Sequence, residues 1–408
     1  MTLIEFFDRE HMDNMIACLR LQPEEAVFLG TQEQMQPFLK RYEALLQKKG
    51  IQTKIQFQNV EGNNLQDVTQ ILLDIINSRE QCVIDITGGD ERLVMAAGAA
   101  LAQLPSQKQK NVAIQRFEMP MGEAKDYDGD GEILPEKAVT LTAGELIALY
   151  GGTIYPSTMQ PPVSCAPADV DFLWQILKND PRGWNKLISN LRELEKPYNK
   201  EKTEFYIRRD AQKFQEKWET IEPLLKKLRN KKIITDTGKG GELRYRYNDK
   251  LLHHCLLKEG NLLEVKTLLE ARAMREQGRA YFDDCMMGVN IDWDGKVSEN
   301  PRQSSGTHNE IDVILTQGMK ALFVSCKNGD VGDGEIYKLC AVAEAFGSTY
   351  AKKMLIVADL ENEESLEQRA KDMGVSLVKN AAKIHKDGWE YIFKEAMKVE
   401  FSQIGGNP

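Results

Sequence analysis

The segment CVIDIT, residues 82–87, is apolar at nearly every position and runs into two glycines. A strand with one wet face alternates apolar and polar side chains. A strand this continuous has to be covered on both faces, as the central strands of parallel sheets are. The neighbouring segments agree. LIEFF (3–7), AVFLG (26–30) and NVAIQRFEM (111–119) are further strand-like runs, and KIQFQNV (54–60) alternates. Between them stand apolar residues at helical spacing: Met12, Met15, Ile16 and Leu19, then Met35 to Leu46, then Val68 to Ile75, then residues 91–103. Repeated β–α units predict a doubly wound, Rossmann-like α/β domain over residues 1–155.

The segment YPSTMQPPVSCAP (155–167) holds four prolines, which neither a helix nor a central strand tolerates, so a boundary is expected there. Residues 170–230 read as helices: FLWQILKN, WNKLISNLREL and a charged stretch from Thr203 to Arg229. A strand KIIT, a turn at Gly238–Gly241 and a strand LRYRY follow, which is the outline of a winged helix. Residues 156–250 are therefore expected to form a helical, winged-helix-like middle. Residues 196–250 carry 16 Lys and Arg against 9 Asp and Glu, in a chain whose net charge is −9. This basic middle is consistent with nucleic-acid contact and equally with solvated lysines on a linker domain. From residue 251 a third domain is expected to run to residue 408. LLEVKTLLEARAMREQG reads as a helix closed by Gly278, with strands at 286–293, 311–316, 321–326, 353–359 and 375–380 and helices at 334–346 and SLEQRAKDMG.

Composition excludes some classes. The 53 basic and 62 acidic residues do not suit a histone-like binder. Asp8, Arg9 and Glu10 stand where a secretory apolar region would be, and no apolar run is long enough to span a bilayer. Seven scattered cysteines without a CxxC suit reduced thiols. The expectation is a cytoplasmic protein with no membrane partner.

The sharpest chemical pattern is NEIDVILTQGMKALFVSCK (309–327). Glu310 and Asp312 are two apart on a strand and share a face. A turn at Gln317–Gly318 returns the chain, and Lys327 ends the next strand. Such a hairpin brings Asp312 near Lys327. Carboxylate oxygens suit Mg²⁺ or Mn²⁺, and a lysine beside them offsets developing charge on a phosphate. A lysine ending an apolar run needs a partner.

This stretch resembles the PD-(D/E)xK nuclease superfamily, built on a helix, a hairpin, a helix and a strand. The resemblance implies catalytic roles for Glu264, Glu310, Asp312 and Lys327, with Asp312, Glu310 and Glu264 holding the metal. Ser325 stands where the family has an acid. Either Glu310 or Glu344 on the next helix is expected to replace it.

A second pattern is Asp85-Ile86-Thr87-Gly88-Gly89-Asp90-Glu91, at the carboxyl end of the expected central strand. Glycines let backbone N–H groups approach a ligand, and the following helix adds its positive end. In open α/β sheets ligands bind at that edge. Together with FFDREHMDN (6–14), the pattern resembles the CRISPR-associated Rossmann-fold (CARF) sensor domain. That likeness implies ligand contacts from Phe7, Asp8, Arg9, Asn14, Thr87, Gly88, Gly89, Asp90 and Glu91.

A CARF-like first third, a winged-helix-like middle and a restriction-endonuclease-like end resemble the ancillary nucleases of type III CRISPR systems. The resemblance implies a homodimer that binds a cyclic oligoadenylate, usually the tetramer, and then cuts DNA, RNA or both in antiviral defence. The alternative is a ligand-responsive DNA-binding regulator with an inactive nuclease-like domain.

Three further motifs are expected to be structural. Asp126–Glu132 looks like a calcium loop, but its twelfth position would be Lys137 rather than glutamate. His253-His254-Cys255 lacks a second ligand pair at zinc spacing. His308 is expected in a surface loop.

Overall fold

The computed structural model describes residues 1–62, 64–118, 123–126, 138–155, 167–207, 214–239, 243–295, 308–332, 334–347, 350–360 and 364–398. The calcium-loop-like motif beyond Asp126, the proline segment 156–166 and the side chain of His308 lie outside this set.

The N-terminal sheet is built from β1 (Thr2–Phe6), β2 (Glu25–Gly30), β3 (Lys54–Asn59), β4 (Cys82–Asp85), β5 (Val112–Glu118) and β6 (Glu123–Asp126). Its order is β3-β2-β1-β4-β5-β6, parallel except for the β5–β6 hairpin. Consecutive strands run outward from β1 in one direction and from β4 in the other. The topology therefore reverses between β1 and β4, where the two strands pair and their C-terminal loops meet. β1 and β4 are buried along their whole length, as continuous apolar strands require.

β7 (Thr153–Ile154) leaves this sheet and pairs with a strand of the C-terminal domain. The middle contributes helices Pro167–Asn179, Pro181–Leu194 and Gln215–Asn230. Its strands are β8 (Glu195–Pro197), β9 (Glu204–Ile207), β10 (Ile234–Asp236) and β11 (Arg244–Tyr247), ordered β10-β11-β9-β8 and antiparallel. The charged stretch expected to be helical from Thr203 is a strand at its start. Phe205 and Ile207 are buried while Glu204 and Tyr206 face out, a period of two that no helix accommodates. Glu195 accepts hydrogen bonds from Tyr245 (2.6 Å) and Tyr247 (2.7 Å) and lies 3.5 Å from His253 Nε2. His253 also stacks on Tyr247, and Cys255 is buried, so this trio packs a core.

The helix Asn261–Ala273 ends five residues before the expected stop at Gly278. Gln277 (φ 49°) and Gly278 (φ 80°) instead form the tight turn between β12 (Arg275–Glu276) and β13 (Arg279–Ala280). Two consecutive positive φ values match the two-residue hairpin turn that follows the twist of its strands.

The C-terminal sheet holds β14 (Asp284–Asp292), β15 (His308–Gln317), β16 (Lys320–Lys327), β17 (Lys352–Val357) and β18 (Val375–Val378), ordered β18-β17-β16-β15-β14-β7. The first three form antiparallel pairs, and β16, β17 and β18 run parallel. One face packs with the middle helices and helices Asn261–Ala273 and Lys386–Met397 in a continuous apolar core. The other face packs with helix Gly334–Gly347 and helices His11–Leu21, Leu39–Lys48 and Ala143–Leu149.

Candidate functional site

At the β15–β16 hairpin the ladder runs from Gln317–Lys320 to Val313–Val324. Beyond it, Asp312 Oδ2 accepts the backbone N–H of Cys326 at 2.6 Å and the Ser325 hydroxyl at 3.2 Å. A carboxylate thus takes over from the backbone as acceptor where the two strands part. Lys327 Nζ lies 3.7 Å from Asp312 Oδ2 and 3.1 Å from Glu335 Oε2. The register sets Gly288, with nothing within 4 Å of a would-be Cβ, across from Asp312.

Helix Asn261–Ala273 carries Glu264 in its first turn. Burial, then the charges of Asp312 and Glu310, push its carboxyl up to about 8. Burial also raises the Asp312 carboxyl above the ordinary aspartate value, against the opposing pull of Lys327. Burial works against the Lys327 charge, but Asp312 and Glu335 outweigh it and hold its pKa above that of a free lysine. The four residues expected to act together therefore do share one electrostatic neighbourhood. Glu310, Asp312, Ser325 and Lys327 line one hollow with Glu335 and Lys338.

Glu335 and Lys338 were not anticipated. They stand three apart near the start of helix Gly334–Gly347, so both face the hollow, and that i,i+3 pair was the available signal. Glu344, expected as a replacement acid, lies instead beside Lys353, at 3.7 Å. An all-oxygen donor set suits a hard divalent cation, and close carboxylates with raised pKa values are relieved by one. Among the described residues, no three His, Cys, Asp or Glu side chains converge closely enough to enclose a metal. The donors fit in kind, and their closure around an ion requires side-chain movement.

The second constellation lies at the switch between β1 and β4. Gly89 has φ +88°, and a Cβ there would stand 2.4 Å from Phe6 Cβ. A Cβ on Gly88 would stand 2.9 Å from Asp8 Cβ. Both glycines are required by close packing of the two loops, and Gly89 N–H donates to Asp8 Oδ2 at 3.2 Å. Asn14 is fully buried; its Oδ1 accepts Asp8 N–H and its Nδ2 donates to Asp8 C=O, both at 2.7 Å. Phe7 is also buried, 6.1 Å from Phe38 between ring centres. These two expected ligand residues thus shape the loop from beneath. Thr87 braces the other loop: its N–H donates to Asp85 and its hydroxyl accepts Phe117 N–H. Asp90 Oδ1 caps helix Glu91–Gln103 by accepting Leu93 N–H at 3.0 Å. Arg9, Asp90 and Glu91 face solvent, with Asp8 and Gly89 half-buried between them.

Below the loops, Glu5 and Asp85 are cross-strand neighbours and both are fully buried. Burial, then Asp85 and Asp13, hold the Glu5 carboxyl far above its usual range. The helix that starts beside these loops is tied to the C-terminal domain. Tyr350 OH donates to Asp13 at 3.1 Å; within residues 1–155, Tyr150 OH donates to Glu10, the residue that caps this helix.

No family model matches the chain, and no curated protein matches it in sequence. Its fold is similar to that of protein VC1899 from Vibrio cholerae, with TM-score 0.73 and 15% identity over 100% of this chain and 99% of that one. It is also similar to Can2 from Sulfobacillus thermosulfidooxidans, solved in complex with cyclic tetra-adenylate, with TM-score 0.64 and 13% identity over 97% of each chain. At these identities the likeness establishes the fold. It is the expected α/β architecture: a Rossmann-like, mostly parallel N-terminal sheet followed by a small antiparallel sheet and a mixed C-terminal sheet. Among the described residues no helix is long and apolar enough to cross a membrane.

Proposed function

We propose that this chain is a cyclic-oligoadenylate-activated, metal-dependent endonuclease that cuts DNA or RNA in type III CRISPR defence. The observation that carries the reading is the Asp312–Lys327–Glu335 cluster at the open end of the β15–β16 hairpin. Whole-length likeness to Can2, solved with cyclic tetra-adenylate, supports the choice of activator. Residues 1–155 are assigned to sensing, 156–250 to the middle and 251–408 to the nuclease. A cyclic four-fold ligand presents equal halves to two equal subunits, which favours a homodimer.

Asp312, Glu310 and Glu264 would hold Mg²⁺ or Mn²⁺, which supplies charge to polarise the phosphate and lower the pKa of attacking water. Asp312 is held in place by Cys326 N–H and Ser325. Lys327 faces the scissile phosphate and offsets its developing charge. Glu335 orients Lys327 from the facing helix and provides the acid that Ser325 does not. At the sensor end, Gly89 N–H, Arg9 and the start of helix Glu91–Gln103 meet the ligand's phosphates. A ligand that binds a closed dimer better than an open one shifts the population toward the active form.

The test is a cleavage assay on supercoiled plasmid and single-stranded RNA, with Mn²⁺, with and without cyclic tetra-adenylate. Cleavage only with the ring, abolished by EDTA, supports the reading. Ring binding without cleavage of either substrate overturns it. That result supports the second reading, which Ser325 favours: a ligand-responsive regulator with an inactive nuclease-like domain.

A further inference from the structure

The sheet β10-β11-β9-β8 buries Phe205, Ile207, Ile234 and Tyr245 on one face. Its register sets two rows on the other: Arg246, Glu204 and Tyr198, then Arg244, Tyr206 and Lys196. Tyr198 and Tyr206 are 54% and 39% exposed, while Tyr245 on the opposite face is fully buried. Their rings meet edge to face at 6.5 Å, and the Arg244 guanidinium lies 4.2 Å from the Tyr198 ring centre. Three cations and one carboxylate share this face, although the chain as a whole has a net charge of −9. Positive charge interleaved with exposed rings is complementary to a polyanion whose bases are free to stack.

We infer that this face is a platform for single-stranded nucleic acid. Bases stack on Tyr198 and Tyr206, and Lys196 and Arg246 pair with the phosphates. A duplex gains only the charge contribution, because its bases are already stacked on one another. Arg244, held over Tyr198 and donating to Thr237 C=O at 3.0 Å, keeps one ring in position. The inference rests on the nuclease reading and deepens it by naming the form of strand delivered to the site.

The experiment measures fluorescence anisotropy of labelled oligo-dT, oligo-U and a duplex of equal length. It uses the Asp312→Ala protein in EDTA, so that binding is read without cleavage. Losing a base–aromatic stack weakens binding roughly tenfold or more. The Tyr198→Ala/Tyr206→Ala pair should therefore lose about a hundredfold on single strands and little on the duplex, while the Phe pair retains binding. Arg246→Ala should reduce the salt slope by about 0.7. Should the alanine pair lower the melting temperature, Arg246→Glu at the same face gives a second reading and must also weaken binding. Unchanged single-strand affinity in the alanine pair, or equal loss in the Phe pair, overturns the platform. Failure to cleave with Tyr-dependent binding intact overturns only the nuclease reading. Cleavage without any dependence on the tyrosines overturns only the platform.

Discussion

Lys327 Nζ lies 3.1 Å from the carboxylate of Glu335, contributed by the helix that packs over β16. The lysine is thereby held between Asp312 and an acid that occupies no position of the strand motif. Ser325, in the position expected to hold an acid, is left to donate to Asp312. The site keeps a carboxylate in place of the missing strand acid, delivered from across the hollow.

Removing these acids should separate binding of metal from folding. Asp312→Ala should abolish cleavage and leave cyclic tetra-adenylate binding intact. Glu335→Gln should weaken Mn²⁺ binding about 10- to 100-fold, the usual cost of losing a partner just outside the ligands. Cleavage and ring-binding assays check the first variant, and Mn²⁺ titration followed by electron paramagnetic resonance checks the second; wild-type affinity in Glu335→Gln would sink the assignment.

Placing an acid back on the strand should make Glu335 dispensable. Ser325→Glu combined with Glu335→Gln is expected to recover most of the Mn²⁺ affinity that Glu335→Gln loses. If the double variant is no better than the single, the two positions are not alternatives.

The tie between helix His11–Leu21 and the C-terminal domain should be pH-sensitive. Burial, then the nearby Glu10 charge, raises the Asp13 carboxyl from 3.8 to about 7, with the Tyr350 hydrogen bond opposing. An acid whose pKa is raised on folding binds its proton more tightly when folded. Its contribution is present below the unfolded value and is lost as pH rises through about 7. Asp13→Asn keeps an acceptor for Tyr350 and carries no charge. Its melting temperature should change less with pH across this window and exceed wild type by a few degrees at alkaline pH. Parallel curves for the two proteins would contradict this.

Two glycines should respond oppositely to alanine. Gly89→Ala forces a side chain onto a left-handed residue against Phe6 and should cost about 1–3 kcal/mol, with weakened cyclic tetra-adenylate binding. Gly98, inside helix Glu91–Gln103 with open space around it, should gain about 0.5–1 kcal/mol. Urea denaturation of both variants decides.

Much of the fold was legible because it is written locally. The apolar run of β4 implied a strand covered on both faces, and the parallel order around β1 and β4 follows from it. Where two periods competed, local reading failed. Glu204–Ile207 lay inside a charged, helix-like stretch, and its alternation was only four residues long. Gly278 fitted a helix stop and a hairpin turn equally well, and the pairing of β12 with β13 decided between them. Among expected ligand residues, Phe7 shares a loop with Arg9 and Asn14 stands in the first turn of the helix that follows, but chain proximity does not separate a side chain under the loop from one above it.

The amino-acid sequence alone determined most strands and helices of the N- and C-terminal sheets and the pairing of Asp312 with Lys327. Those depend on side-chain periodicity and on a hairpin whose ends are close in the chain. Tertiary structure alone decided that Glu335 and not Glu344 reaches the lysine. It also decided that Asp13 meets Tyr350 and that two tyrosines share one open sheet face. The reason is that these contacts join elements distant in sequence. Which side chains meet depends on how whole helices and sheets dock to bury their apolar faces, and a linear pattern carries no information on that rotation.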